Sequence, residues 1–122
     1  MFRSQRYLPF KARHSLEKRR REARNIIAKY PDRIPIICEV SGREAPELDK
    51  KKYLVPRDLS MGQFLYIIRK RMSLPAEKAI YMFVNNKLLT GNALVSTTYD
   101  EERDDDGFLY ITYSGETTFG SK

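Results

Sequence analysis

The C-terminal tail holds the residues with the clearest chemical potential in this chain of 122 residues. It follows an alternating run that ends at Tyr113 and reads Ser-Gly-Glu-Thr-Thr-Phe-Gly-Ser-Lys. Phe119 is a lone aromatic residue, and Gly120 has no Cβ, so this pair could enter a narrow protease cleft. Cleavage after Gly120 would release Ser121 and Lys122 and leave an unhindered carboxylate that another enzyme could couple to an amine. A frayed terminus is the ordinary alternative, and the tail alone favours it.

The sequence offers little from which to build an enzyme active site. His14 is the only histidine and Cys38 the only cysteine. Cys38 stands among β-branched residues, which is typical of a small buried side chain. Phosphate-loop, HExxH and GxSxG motifs are absent, and the acidic run at 100–106 lacks calcium-loop spacing and is predicted to be a solvated turn. We therefore expect neither catalytic residues, nor a bound metal, nor a cofactor.

Composition predicts one globular domain with an uneven distribution of charge. The hydrophobic fraction is 41%, enough for a single core. Residues 1–30 contain ten basic and two acidic residues, whereas residues 31–122 contain thirteen basic and fourteen acidic ones. Such a basic block could attract acidic proteins, anionic lipid or nucleic acid, or could be the solvated face of a helix. The absence of a signal peptide or long apolar span predicts a cytosolic protein.

The apolar periodicities predict an α+β fold. Helices are predicted around Ser4–Leu8, ending at Pro9, and over 15–29, where Pro31 stops the second helix. Ser60 and Gln63 form a capping box that opens a helix running to about Met72. The remaining predicted elements are strands at 34–40, 51–56, 80–84 and 108–113, a turn at Asn85-Asn86 and a short helix at 94–101.

After the two N-terminal helices, this order is that of a β-grasp domain. We expect a mixed four-stranded sheet with the C-terminal strand near its centre. Residues 1–30 would form a helical extension packed on the grasp domain, residues 31–114 the β-grasp core, and residues 115–122 a flexible tail.

Several apolar residues are left over once the core positions are assigned. Ile67 lies beside the apolar stripe of its helix, and Pro35 and Ile37 face away from the side taken by Ile34 and Ile36. The strand at 51–56 carries lysines and ends at Pro56, as edge strands often do, so its backbone could pair with an added strand. The pattern leaves two alternatives open: these residues close the packing under the N-terminal helices, or they form a binding surface.

Several segments resemble the GABARAP-like family of autophagy ubiquitin-like modifiers, and the resemblance extends from about Tyr7 to Gly120. The resemblance implies a ubiquitin-like β-grasp fold with two N-terminal helices. The matching segments are KYPDRIP at 29–35, DKKKYLVP at 49–56, GQF at 62–64, IRKR at 68–71, FVNN at 83–86 and GFLY at 107–110.

The resemblance implies a conjugation cycle in which this chain is the substrate. A cysteine protease would recognise Phe119 and cut between Gly120 and Ser121; the same protease would also remove the lipid at the end of the cycle. E1-like and E2-like enzymes would then pass the Gly120 carboxylate to phosphatidylethanolamine. The product would lie on autophagosomal and vacuolar or lysosome-related membranes, and the unconjugated chain would be a monomer in the cytoplasm.

The resemblance also implies two pockets for receptor and adaptor motifs of the form aromatic-x-x-aliphatic. The first pocket, for the aromatic residue, comprises Glu22, Ile26, Pro35, Ile37, Lys52, Leu54 and Phe108. The second pocket, for the aliphatic residue, comprises Tyr53, Val55, Pro56, Leu59, Phe64, Ile67 and Arg71. Between them the peptide backbone would add to the strand at 52–56.

A function of a different class is the alternative hypothesis. The basic residues of 1–30 could make the chain primarily a cytoskeleton- or nucleic-acid-binding module with strong salt dependence. Family resemblance makes tubulin a candidate partner of this segment. Few aromatic residues are available there for base stacking, so we expect no nucleic-acid partner.

Overall fold

The structure, a computed structural model, describes residues 8–42 and 45–116. Four helices and five strands follow one another in these ranges: α1 (Phe10–Arg13), α2 (Leu16–Lys29), β1 (Arg33–Val40), β2 (Lys52–Pro56), α3 (Met61–Met72), β3 (Tyr81–Val84), β4 (Lys87–Leu88), α4 (Val95–Glu102) and β5 (Leu109–Ser114).

The strands form one mixed sheet in the order β2-β1-β5-β3-β4. The central strands β1 and β5 are parallel, and Cys38 lies beside Ile111. The outer neighbours are antiparallel: β2 pairs with β1, β3 with β5, and β4 with β3. The predicted central position of the last strand and the predicted edge position of β2 are both confirmed.

Alternation along β1 divides the core between the two faces of the sheet. Ile34, Ile36 and Cys38 belong to the larger core cluster, which includes the buried side of α3. Ile37 faces the other way and packs with Phe10, Ala23 and Phe108 under the N-terminal helices. The predicted assignment of faces is therefore confirmed, and the N-terminal helices complete a second apolar layer.

Side-chain caps mark the N-terminal ends of the two longer helices, α2 and α3. Ser60 Oγ accepts from Gln63 N at 3.1 Å, and Gln63 Oε1 accepts from Ser60 N at 2.9 Å, so the predicted capping box is present. At α2, Ser15 Oγ accepts from Lys18 N at 3.2 Å. Each cap satisfies a backbone N–H that has no partner inside the first helical turn.

One predicted feature needs correction, and another lies almost wholly outside the described residues. The sheet has five strands rather than four, because Asn85 (φ 50°) and Asn86 (φ 66°) form a tight two-residue turn that folds β4 back onto β3. The predicted helix around Ser4–Leu8 lies outside the described residues except for Leu8, which is not helical. Among the described residues, the short helix α1 begins directly after Pro9, its N-cap residue, whose φ is −58° and ψ 148°.

None of the helices in the described ranges combines the length and the apolarity that crossing a bilayer requires.

Candidate functional site

The edge strand β2 is the structural centre of the predicted binding groove. It pairs with β1 on one side, and the described residues place no strand on its other side. Alternate residues of β2 point to opposite layers: Lys52 reaches α2, whereas Tyr53 and Val55 belong to the core cluster beneath α3. An extended peptide added to this edge would therefore meet both layers at once.

The residues predicted for the first pocket come from α2, β1, β2 and the residue before β5. Pro35 lies opposite Leu54, and Ile37 lies opposite Lys52, across the antiparallel β1–β2 pair. Ile37 and Phe108 share one cluster, against which Ile26 packs. Lys52 Nζ forms an ion pair with Glu22 Oε2, which ties α2 to β2.

Ile37 and Phe108 have no exposed surface, so the deep part of this set is closed. Phe10 covers Phe108 with a ring-centroid distance of 5.5 Å and is itself buried. Leu54 is 36% exposed. Two surface cavities border the set: one of about 470 Å³ includes Glu22 and Ile26, and one of about 270 Å³ includes Lys52. Of the leftover apolar residues, Pro35 and Ile37 are buried, so they close the packing under the N-terminal helices. Ile67 remains exposed, as does Leu54.

The residues predicted for the second pocket are distributed over β2, the following loop and α3. Tyr53 and Phe64 pack edge to face, with ring centroids 5.6 Å apart. Both are buried, together with Val55, and Leu59 packs against their cluster. Ile67 is 40% exposed on the outer side of α3. Pro56 and Arg71 are also exposed, so a partly apolar surface surrounds a buried aromatic pair.

The rim of the groove is basic. Arg13, His14, Lys50, Lys51 and Lys52 contribute to the same cavity of about 270 Å³. Lys51 Nζ donates to Leu8 O at 2.7 Å and lies 3.3 Å from Glu39 Oε2, which fastens the lysine segment to the N-terminal layer. Burial raises the pKa of the Tyr53 hydroxyl, which donates to Lys50 O at 2.8 Å. This rim favours an acidic partner.

Sequence reasoning missed the polar network that holds α2 on the sheet. Asp106, which the sequence placed in a solvated acidic turn, is only 2% exposed, and that expectation is wrong. Its carboxylate accepts from Arg19 Nη1 at 2.7 Å, from Tyr110 Oη at 2.6 Å and from Phe108 N at 2.8 Å. The Asp-Gly turn signal and the arginine run were both visible in the sequence, but nothing there showed that they meet.

Cys38 is fully buried, as predicted, and burial raises the pKa of its thiol. A reactive cysteine needs an accessible thiolate, which this environment disfavours. Within the described ranges, histidine, cysteine and acidic side chains form no cluster that could hold a metal.

The predicted cleavage residues, Phe119 and Gly120, lie outside the described residues. The strand that leads to them is the central strand β5, which ends at Ser114 and is followed by Gly115 and Glu116.

A mixed five-stranded sheet with α3 across one face and two helices on the other defines a ubiquitin-like protein with a helical N-terminal addition. The family model described as "Autophagy protein Atg8 ubiquitin like" matches residues 18–120. The chain therefore belongs to the Atg8 family. Members of this family are ubiquitin-like modifiers of autophagy rather than enzymes, and attachment to lipid is the family function. Family membership also implies a conjugation machinery and receptors as classes of partner.

Individual relatives agree with this assignment. Autophagy-related protein 8 of Mycosarcoma maydis is 59% identical over 112 residues, which cover 91% of this chain and 95% of that protein. Autophagy-related protein 8c of Arabidopsis thaliana is 58% identical and covers 91% of this chain and 94% of its own length. The crystal structure of Trypanosoma brucei ATG8 superposes with a TM-score of 0.84 at 42% identity, covering 98% of this chain and 100% of that one.

Proposed function

We propose that this chain is cleaved after Gly120 and joined through that residue to phosphatidylethanolamine. The observation that carries the proposal is the family match, which extends through the tail and ends at residue 120. A cysteine protease would remove Ser121 and Lys122, and E1-like and E2-like enzymes would activate and transfer the new carboxylate. Lipid attachment would supply two acyl chains, which together give a stable membrane anchor. This route places the conjugate on autophagosomal and vacuolar or lysosome-related membranes.

The fold suits a chain that serves as a conjugation substrate. The tail continues from β5, which is hydrogen-bonded to strands on both sides. An enzyme could therefore pull on the tail without freeing the strand that carries it, because several ladder hydrogen bonds would have to break together. Glu116 is exposed, so the approach to the tail begins at the surface.

On the membrane, the conjugate would recruit receptors and adaptors through the groove along β2. Support comes from the open edge of β2 and from two exposed apolar side chains, Leu54 on the strand and Ile67 on α3. The peptide backbone would pair with β2 while alternate side chains enter the first and second pockets. Acidic residues that precede the aromatic residue would meet the basic rim at Lys50, Lys51 and Lys52.

The closed state of the first pocket adds a step to this binding mode. Because Ile37 and Phe108 are covered, an aromatic side chain must separate Glu22 from Lys52 or displace Phe10 to reach them. The ion pair is partly exposed, so opening it costs little. The proposed first pocket therefore forms as the ligand enters.

Intact mass measurement in starved cells tests the conjugation. The wild-type chain should yield a fraction that lacks Ser121 and Lys122 and a membrane fraction heavier by one phosphatidylethanolamine. Gly120→Ala should keep the full-length mass in both fractions, whereas the matched control Gly115→Ala should be processed normally. A Gly120→Ala chain that is cut and lipidated like wild type would overturn the assignment of this residue.

A further inference from the structure

Helix α2 forms a ridge with a cavity on each flank. One flank, with Glu22 and Ile26, faces the proposed motif groove. The opposite flank borders a second concave surface of about 510 Å³, which we call the outer groove. It is lined by Arg20, Ala23, Arg24, Ile27, Ala28, Asp105, Asp106 and Gly107. Its volume lies within the usual range of binding pockets, and none of the residues predicted for the two motif pockets lines it.

The floor of the outer groove is apolar and built from small residues. Ala23 is buried, and Gly107 approaches it so closely that a Cβ on Gly107 would lie 2.9 Å from Ala23 Cβ. Ile27 is 39% exposed beside the exposed Ala28. Small side chains allow a partner backbone to approach closely, and Ile27 and Ala28 supply apolar surface for it to cover.

The charges on the two rims differ in sign. Arg20 and Arg24 lie one helical turn apart on α2 and are exposed. Asp105 is exposed on the facing turn. Across the described part of the chain, none of the three side chains has a hydrogen-bond or ion-pair partner. The carboxylate of Asp106, by contrast, is already paired with Arg19 and Tyr110.

We propose that the outer groove binds a short acidic amphipathic helix of a partner protein. Two acidic side chains spaced three or four residues apart would match the spacing of Arg20 and Arg24. An apolar side chain between them would cover Ile27 and Ala28, and a basic residue on the far side would meet Asp105. Because this groove lies on the opposite flank of α2, a partner there and a motif peptide along β2 could bind together.

The shape and charge of the groove favour a helix over an anionic membrane. Asp105, on the rim that faces the arginines, would repel the acidic headgroups of such a membrane. An extended strand would need an open sheet edge, whereas a helix satisfies its own backbone and needs only a groove.

The test selects binders from a displayed library of helical peptides on the folded chain, with the motif groove saturated by an aromatic-x-x-aliphatic peptide. Selected peptides are then measured against wild type, Arg20→Glu/Arg24→Glu and Ile27→Ser. Lys18→Glu/Arg21→Glu is the matched control, because it makes the same charge change elsewhere on α2. The four positions changed in the charge variants are all exposed. Circular dichroism checks that each variant folds.

We expect the selected peptides to be acidic. Their affinity for Arg20→Glu/Arg24→Glu should be about tenfold or more below that for wild type, because close like charges oppose binding. The control pair should lower the affinity less. Binding of the aromatic-x-x-aliphatic peptide should stay unchanged in Arg20→Glu/Arg24→Glu, which separates this site from the proposed motif groove. Selection of peptides that bind both charge pairs equally would overturn the proposal. A second result would also overturn it. If the library yielded no binder, and if vesicles rich in phosphatidylserine bound wild type but not Arg20→Glu/Arg24→Glu, the arginines would contact a membrane instead of a helix.

Discussion

Arg19 Nη1 lies 2.7 Å from Asp106 Oδ2, and this ion pair joins α2 to the turn before β5. Arg19 Nε also donates to His14 O at 3.1 Å, so the same side chain holds the junction between α1 and α2. Although burial opposes it, bonding to Asp106 and Tyr110 raises the pKa of the Arg19 guanidinium. The backbone N–H of Phe108, a residue of the predicted first pocket, donates to Oδ1 of the same carboxylate at 2.8 Å. This nearly buried pair thus holds α2, which carries Glu22 and Ile26, against the turn that precedes Phe108.

Replacing Asp106 with Asn should destabilise the fold strongly. The change removes the negative charge that faces Arg19 and leaves a nearly buried guanidinium uncompensated, which typically costs about 3–5 kcal/mol. Urea unfolding at neutral pH, followed by circular dichroism, gives the difference in the free energy of unfolding.

The same substitution at Asp100 is the matched control. Its carboxylate lies 3.9 Å from Arg57 Nη2, and both side chains are well exposed. Exposed pairs contribute about 0–1 kcal/mol, so Asp100→Asn should barely change the unfolding curve. Equal effects at the two positions would show that the Arg19–Asp106 pair has no special part in stability.

Gly107 is predicted to tolerate no larger residue. Its φ of +98° is strained for any residue with a Cβ, and the added atom would also meet Ala23 Cβ at 2.9 Å. Gly42→Ala isolates the first effect, because Gly42 has a φ of +81° but its added Cβ would be 3.9 Å from the nearest atom, Ser114 Oγ. We expect a loss of about 1 kcal/mol for Gly42→Ala and a clearly larger loss for Gly107→Ala. Thermal unfolding of the two variants side by side would reveal whether the contact with Ala23 adds to the strain.

His14 should make the fold less stable as the pH falls below neutral. Its ring lies 4.6 Å from that of Phe10, and its buried Nδ1 has no hydrogen-bond partner among the described residues. Burial, followed by the charges of Lys18 and Arg13, lowers the pKa of His14 below its ordinary value of 6.5. The unfolded chain therefore binds a proton before the folded chain does, and stability falls as the pH drops through 6.5.

Urea unfolding at pH 7.0 and pH 5.5 measures this effect. As the only histidine, His14 is the side chain expected to titrate in this window. His14→Gln should flatten the difference between the two pH values. A mutant that keeps the wild-type pH dependence would assign the effect to another group.

The sequence was sufficient for the elements whose signals are local. The capping box at Ser60 and the apolar stripe of α3 depend on spacings of three and four residues, and both are found as predicted. The alternation along β1 likewise assigns Ile36 and Ile37 to opposite faces without any knowledge of what covers them. The resemblance to a known family supplied the predicted position of the groove, which periodicity alone left undecided.

The features that escaped prediction depend on contacts between distant parts of the chain. Phe10 is 98 positions from Phe108 along the chain, and their packing decides that the first pocket is closed. Asp106 belongs to an acidic run that normally indicates a solvated loop, and only the approach of Arg19 makes its burial favourable. The strand β4 contains two residues, too few for an alternation pattern to be recognised.

Truncating the exposed apolar residues of the proposed motif groove should weaken peptide binding while leaving the fold intact. Leu54 and Ile67 are 36% and 40% exposed, so replacing either with Ala removes contact surface without opening a cavity in the core. Loss of a pocket side chain typically costs about 1–3 kcal/mol of binding free energy. Isothermal titration with an aromatic-x-x-aliphatic peptide measures the change. Leu88→Ala is the matched control, because Leu88 is an exposed leucine on β4, at the opposite edge of the sheet. If the peptide bound Leu54→Ala and Ile67→Ala as tightly as Leu88→Ala, the peptide would bind elsewhere, because neither the β2 surface at Leu54 nor the α3 surface at Ile67 would then contact it.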